Sequence, residues 1–310
     1  MNKQFIKWVR WLFFLLVLIF LGHYLVNSFH ELRSVNFEFQ PLILLLAMGF
    51  FGIYKIALSL IWHLITIKSK ANIPLEKAMI AWYYSLLGKY IPGKIFLLGG
   101  RLYFYQLEGK SKKTIAFCFL VENICTLLGA AFLFILSLPF VDLPIIRDYQ
   151  FGVMAFVVIL LIAIHPRILE FLINRALYAF KRDSIHFYIS YKDILQLVAF
   201  SIVNWFIVGI GFFLLVNSVY PVSVEHIFYM AGTFGLSVII GILSFFAPSG
   251  IGVREGVMIF ALQFIMPEGA AIIVSLLSRI WTTIPELLII AFAYVYAKAK
   301  RIRFDVTVNS

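Results

Sequence analysis

The chain has 310 residues, 63% of them hydrophobic and only 13% charged, with a mean hydropathy of +0.98 and a formal net charge of +11. Soluble domains are about half apolar, so this composition excludes a soluble globular protein and points to a polytopic membrane protein. The positive charge does not indicate nucleic acid, because most of it falls between or beyond the apolar runs, as cytoplasmic loops do under the positive-inside rule.

Lys3, Lys7 and Arg10 precede an apolar run over 11–29. It resembles a signal peptide, but it is long and no small-residue cleavage site follows, so it is expected to be retained as a first span. Further spans are expected at 41–62, 115–138, 151–164, 194–216 and 270–296, each near the roughly 20 residues that cross a bilayer, with 151–164 short. Two more apolar regions, 75–106 and 227–266, are broken by Ile91-Pro92-Gly93 and Pro248-Ser249-Gly250. A helix broken this way either kinks or turns back as a re-entrant hairpin. The fold class expected is all-α, with about six spanning helices and two re-entrant helical hairpins.

Loop charge favours hairpins. With a cytoplasmic N-terminus and two hairpins, 18 cations lie on the cytoplasmic side and only Arg33 and Arg147 outside, in company with Glu31, Glu38, Asp142 and Asp148. One full crossing in either region would send basic stretches to the wrong face. The expected location is the cytoplasmic membrane, with both termini cytoplasmic. One membrane domain over 1–310 then divides into a first half, 1–140, and an inverted second half, 150–300. Matching spacings support the repeat: 30 residues from Pro92 to Glu122 and 31 from Pro248 to Arg279. Inverted repeats with broken helices are a common transporter architecture.

Six cations lie inside apolar regions: Lys55, Lys89, Lys94, Arg101, Arg254 and Arg279. Three carboxylates accompany them: Glu122, Glu255 and Glu286. A charge at a span centre costs roughly 2.5–3.5 kcal/mol, so each should be paired or line a wet cavity. One reading is snorkelling for Lys89, Lys94 and Arg101 and structural ion pairs for the rest. The other balances the cationic excess with an anionic ligand, phosphate being the obvious candidate. After each proline–glycine break a new helix begins, and its free N–H groups favour an anion. The expected binding set therefore includes Pro92, Gly93, Pro248 and Ser249 at the tips. Gly250 and Gly252 would allow close backbone approach, and Lys94, Arg101 and Arg254 would contact ligand oxygens. Glu255 is expected to hold Arg254 in place. Lys55 pairs with Glu122 or touches ligand, and Glu286 lies on the same helical face as Arg279, seven residues away.

Other chemistry finds no foothold. Cys118 and Cys125, seven apart on one helix, read as packing residues rather than a disulfide or metal motif. No closely spaced histidine pair exists, so neither a metal nor a cofactor is expected. Gly109-Lys110-Ser111 ends like a phosphate-binding loop but lacks the required first glycine, Phe104 standing there, and "GIGVREG" lacks the last fingerprint glycine and any βαβ context.

Four stretches, "GKYIPGKIFLLGGR" (88–101), "LVENICTLLG" (120–129), "APSGIGVREG" (247–256) and "LLSRIWTTIPELL" (276–288), carry a family resemblance. The chain resembles the flippase-like family defined by the transmembrane region of lysylphosphatidylglycerol synthases, most specifically through Pro248, Gly250, Gly252 and Glu255. The resemblance implies movement of charged lipids between leaflets, the lipid being a phospholipid or a polyprenyl-linked or other glycolipid. It also implies a membrane domain alone, without the aminoacyl-transferase domain that some members add. The leading expectation is a lipid translocase whose halves rock to expose a polar cavity to each leaflet in turn, either as a homodimer or in complex with a lipid or glycan synthesis enzyme. The rivals are an integral-membrane transferase using a lipid-phosphate donor and a non-transporting lipid-binding partner. The transferase is disfavoured because all five aspartates fall outside the spans, leaving Glu31 and Glu38 to serve.

Overall fold

The computed structural model describes residues 39–89, 95–138, 164–179, 189–244, 250 and 252–304, with single positions at 155, 159, 162 and 184. The span expected at 11–29 lies outside the described residues, as does most of 151–164. The described residues form nine α-helices and no strand: α1 (Pro41–Lys68), α2 (Leu75–Leu86), α3 (Ile95–Leu107), α4 (Lys112–Ser137), α5 (Pro166–Ala179), α6 (Tyr191–Asn217), α7 (Ile227–Leu243), α8 (Val253–Leu262) and α9 (Glu268–Ala299). An all-helical protein is what a bilayer requires when no closed barrel forms, because helices satisfy their own backbone groups.

Among the described residues, five stretches are long and apolar enough to cross a membrane: α1, α4, α6, α9 and Val224–Leu243, which is α7 with the turn before it. The first four hold the expected spans 41–62, 115–138, 194–216 and 270–296. The fifth falls at the start of the apolar region 227–266, expected as a re-entrant hairpin, and its 20 residues reach about 30 Å, a full hydrocarbon core. By contrast α2, α3 and α8, with 12, 13 and 10 residues, are each too short to cross.

Both proline–glycine regions are flanked by helices that fold back on one another. A Cβ added to Gly100 of α3 would lie 3.2 Å from the Ser85 Cα of α2. Tyr229 of α7 donates from its hydroxyl to the Ala261 carbonyl of α8 at 2.9 Å.

The chain groups into two compact units. One holds residues 1–54, 136–141 and 205–287, the other 55–135, 142–204 and 288–310. The long helices α1, α4, α6 and α9 contribute residues to both, whereas α2–α3 belongs wholly to the second and α7–α8 wholly to the first.

The first unit packs around Trp281. Its ring lies 5.3 Å from Phe51, 5.3 Å from Phe234 and 6.0 Å from Phe212. Small residues bring the helices this close: a Cβ on Gly209 of α6 would fall 2.1 Å from the Ala231 Cβ of α7, the small-residue contact of membrane helix pairs.

In the second unit Gly129 of α4 lies against Ser201 of α6 in the same way. Three helices here end alike. Ala71 N–H reaches Thr66 O at 2.8 Å, Lys110 N–H reaches Tyr105 O at 2.9 Å, and Ile302 N–H reaches Ala297 O at 3.0 Å. The preceding residues, Lys70, Gly109 and Arg301, have φ of 55°, 70° and 51°. These are Schellman caps, and the cations around them face the negative ends of helix dipoles. α6 begins in this unit with a capping box: Asp193 N–H donates to Ser190 Oγ at 3.2 Å and Ser190 N–H to Asp193 Oδ2 at 3.1 Å.

Charge divides between the units. Described residues of the first carry two arginines and four glutamates; those of the second carry sixteen cations and five carboxylates.

Candidate functional site

Each unit contains one polar cluster inside apolar helices. In the second, Arg101 projects from α3 and is 2% exposed. Its Nη1 pairs with Glu122 Oε2 of α4, and its Nε donates to Ser85 Oγ at 3.3 Å. The other Glu122 oxygen accepts from Trp82 Nε1 at 2.8 Å. Aromatic rings close around the guanidinium, whose carbon lies 4.2 Å from the Trp62 centroid, 5.1 Å from Phe119 and 5.4 Å from Trp82. Trp62 is itself fixed by donating to Tyr105 Oη at 2.8 Å. This is a neutralised, caged ion pair. Glu122, Ser85 and three rings thus engage the guanidinium that is expected to contact ligand oxygens.

α1 runs unbroken past Lys55, whose Nζ lies 6.0 Å from the Trp82 centroid. Glu122 is committed to Arg101 and Trp82.

The cluster in the first unit is built on the start of α8. Gly250 and Gly252 have φ of +68° and +84°, left-handed conformations that suit glycine. Gly250 also has no room for a side chain, since a Cβ would sit 2.6 Å from the Gly241 Cα. That backbone contact presses the loop against α7. α8 then begins, and Glu255 in its first turn folds back so that Oε2 accepts from Gly252 N–H at 2.7 Å.

Here the ion pairing departs from expectation. Glu255 does not pair with Arg254; its Oε1 binds Arg279 Nε of α9. Neighbours on one helix turn point apart, whereas α9 supplies a cation from across the packing interface. Arg254, 9% exposed, donates from Nη2 to Ser278 Oγ at 3.2 Å and lies 5.2 Å from the Phe234 ring centre. Its buried Nε has no hydrogen-bond partner among the described residues. Serines along α9 complete the surroundings: Ser278 Oγ donates to Ser275 O at 2.6 Å, and Ser275 Oγ to Glu255 O at 3.4 Å.

Of the expected residues, then, Gly250, Gly252, Arg254, Glu255 and Arg279 come together, and Arg101 and Glu122 come together. Glu286 is fully buried next to Pro285 within α9. Pro92, Gly93, Lys94, Pro248 and Ser249 lie outside the described residues, so the shared phosphate pocket expected at the hairpin tips lies there too. Lys89 closes the short 3-10 turn after α2.

Ser278, Ser85, Trp82 and Trp62 were not anticipated. Ser278 and Arg279 each lie three or four residues from both Ser275 and Thr282 in an apolar helix, a polar stripe readable at helical period. For the tryptophans no such signal exists. No group of three or more histidine, cysteine or carboxylate side chains that could hold a metal occurs among the described residues.

Comparison with curated proteins finds no match. Residues 7–290, nearly the whole chain, match the family described as Lysylphosphatidylglycerol synthase TM region, and this multi-pass membrane protein belongs to that family.

Proposed function

We propose that the protein is a translocase that moves a phosphate-bearing lipid between leaflets of the cytoplasmic membrane, with Arg254 as the principal headgroup contact. Membership in the transmembrane-region family of a lipid synthase supports a lipid-handling role. The observation that carries the reading is the state of Arg254. It is nine-tenths buried beside a helix N-terminus, its neighbouring carboxylate is committed to Arg279 and Gly252 N–H, and its Nε has no partner among the described residues. A buried charge without a paired counter-charge costs several kcal/mol, and an anionic oxygen arriving at Nε offsets that cost. Helix dipole and free amides add to the attraction. Segregation of cations into the second unit supports an orientation with that unit's basic ends cytoplasmic.

The test is a proteoliposome assay in which headgroup-labelled phospholipid is bleached from outside by a membrane-impermeant reductant. Arg254→Gln should slow lipid movement about tenfold or more, the worth of a hydrogen bond to a charged group. Lys112→Gln, at an exposed position, should leave the rate unchanged. Wild-type rates in Arg254→Gln would refute the reading.

A further inference from the structure

Among the described residues of the second unit, α5 takes no part in either polar cluster. α5 has 14 residues, about 21 Å, and is not among the stretches long and apolar enough to cross a membrane. Proline opens it at Pro166, where the missing N–H costs nothing.

One face bears an unusual mixture. Arg167, Phe171, Arg175 and Tyr178 follow at intervals of four, four and three, which places them within an arc of about 100°. All four are exposed, Phe171 at 62% and Tyr178 at 84%. With Glu170 and Asn174 they border one shallow, open stretch of surface. A face turned to bulk water has little reason to present two large aromatic rings, and a face packed on protein would not leave them exposed. Arginine alternating with amphipathic aromatics suits the headgroup layer, where guanidinium meets phosphate and rings sit at the boundary with the acyl chains.

Charge agrees with this. Between residues 164 and 192 the chain has five cations and two carboxylates. The whole segment belongs to the unit that holds the cationic excess. Basic segments beside membrane spans are attracted to anionic lipid surfaces.

We infer that α5 is an in-plane helix that docks on anionic phospholipid headgroups, Arg167 and Arg175 binding phosphate while Phe171 and Tyr178 enter the headgroup boundary. This contact is separate from the Arg254 cluster and holds whether or not lipid is translocated.

The experiment places a polarity-sensitive fluorophore on Tyr178→Cys in the full-length protein. Cys118 and Cys125 are buried and escape labelling. The labelled protein is reconstituted into nanodiscs of phosphatidylcholine alone or with phosphatidylglycerol, some containing lipids with doxyl groups near the glycerol backbone. Phosphatidylglycerol should raise doxyl quenching and reduce quenching by aqueous iodide, and high salt should reverse both. Arg167→Gln and Arg175→Gln should each weaken the phosphatidylglycerol dependence about fivefold. Lys112→Gln with Lys113→Gln removes two charges elsewhere, one more than either α5 variant, and should change nothing. The proposal is overturned if quenching is the same in both lipid mixtures, or if the Lys112/Lys113 variant loses as much as the α5 variants.

Discussion

Removing one member of the Arg101–Glu122 pair should destabilise the protein more than removing both. In Glu122→Gln the amide oxygen still accepts from Trp82 Nε1, now 2.8 Å away. Its NH2 group then faces the guanidinium, donor against donor. Arg101 keeps only Ser85 Oγ at 3.3 Å and its aromatic cage. The cage is worth about 2 kcal/mol to a desolvated cation, less than the several kcal/mol that burying an unpaired charge costs. The expected loss is about 3–5 kcal/mol, roughly two to four orders of magnitude in the folding equilibrium. In Arg101→Met with Glu122→Gln the charge is gone, methionine fills against the rings, and Trp82 keeps an acceptor. That double variant should lose about 1–2 kcal/mol; with about 3–5 kcal/mol lost in Arg101→Met alone, which leaves Glu122 buried and unpaired, the coupling energy is about 4 kcal/mol or more. Denaturant unfolding in detergent micelles, followed by tryptophan fluorescence, measures all four proteins. Additive losses, or a neutral Glu122→Gln, would mean that Arg101 reaches water or another anion and that the caged pair is not what holds α3 to α4.

Three further outcomes follow from local geometry. Gly250→Ala should cost about 1–2 kcal/mol for the left-handed backbone alone, more with the Gly241 contact. Gly256→Ala, where a Cβ meets nothing within 4 Å, should be neutral or gain up to about 1 kcal/mol in α8; the same micelle unfolding compares them. Ser190→Ala removes the cap of α6 and should cost about 1 kcal/mol, seen as roughly fivefold faster amide exchange over residues 191–194 and nowhere else. Cys118 and Cys125, 0% and 1% exposed, should resist a membrane-permeant maleimide in the folded protein and react once it is denatured.

Hydrophobic length made α1, α4, α6 and α9 legible, because apolar runs of that size have few other homes. The glycines around α8 were legible too: left-handed backbone and close approach demand that residue type. Pairing was harder to read. Arg254 and Glu255 are adjacent in sequence, yet neighbours on a helix do not face each other, and the partner Arg279 comes from α9. Glu122 could be matched to Lys55 or Arg101 on charge alone; the choice rests on which helix faces α4, a tertiary fact. α5 was read as part of a basic cytoplasmic loop. Its cations mask the helical period unless Phe171 and Tyr178 are set on the same wheel.

Glu255 bonds at once to Gly252 N–H at the start of its own helix and to Arg279 on another. One side chain therefore serves both as the clasp of the first turn of α8 and as the rivet that fastens that turn to the middle of α9. Shortening it by one carbon would undo both fastenings together, so the start of α8 and its seat on α9 loosen as one event rather than two.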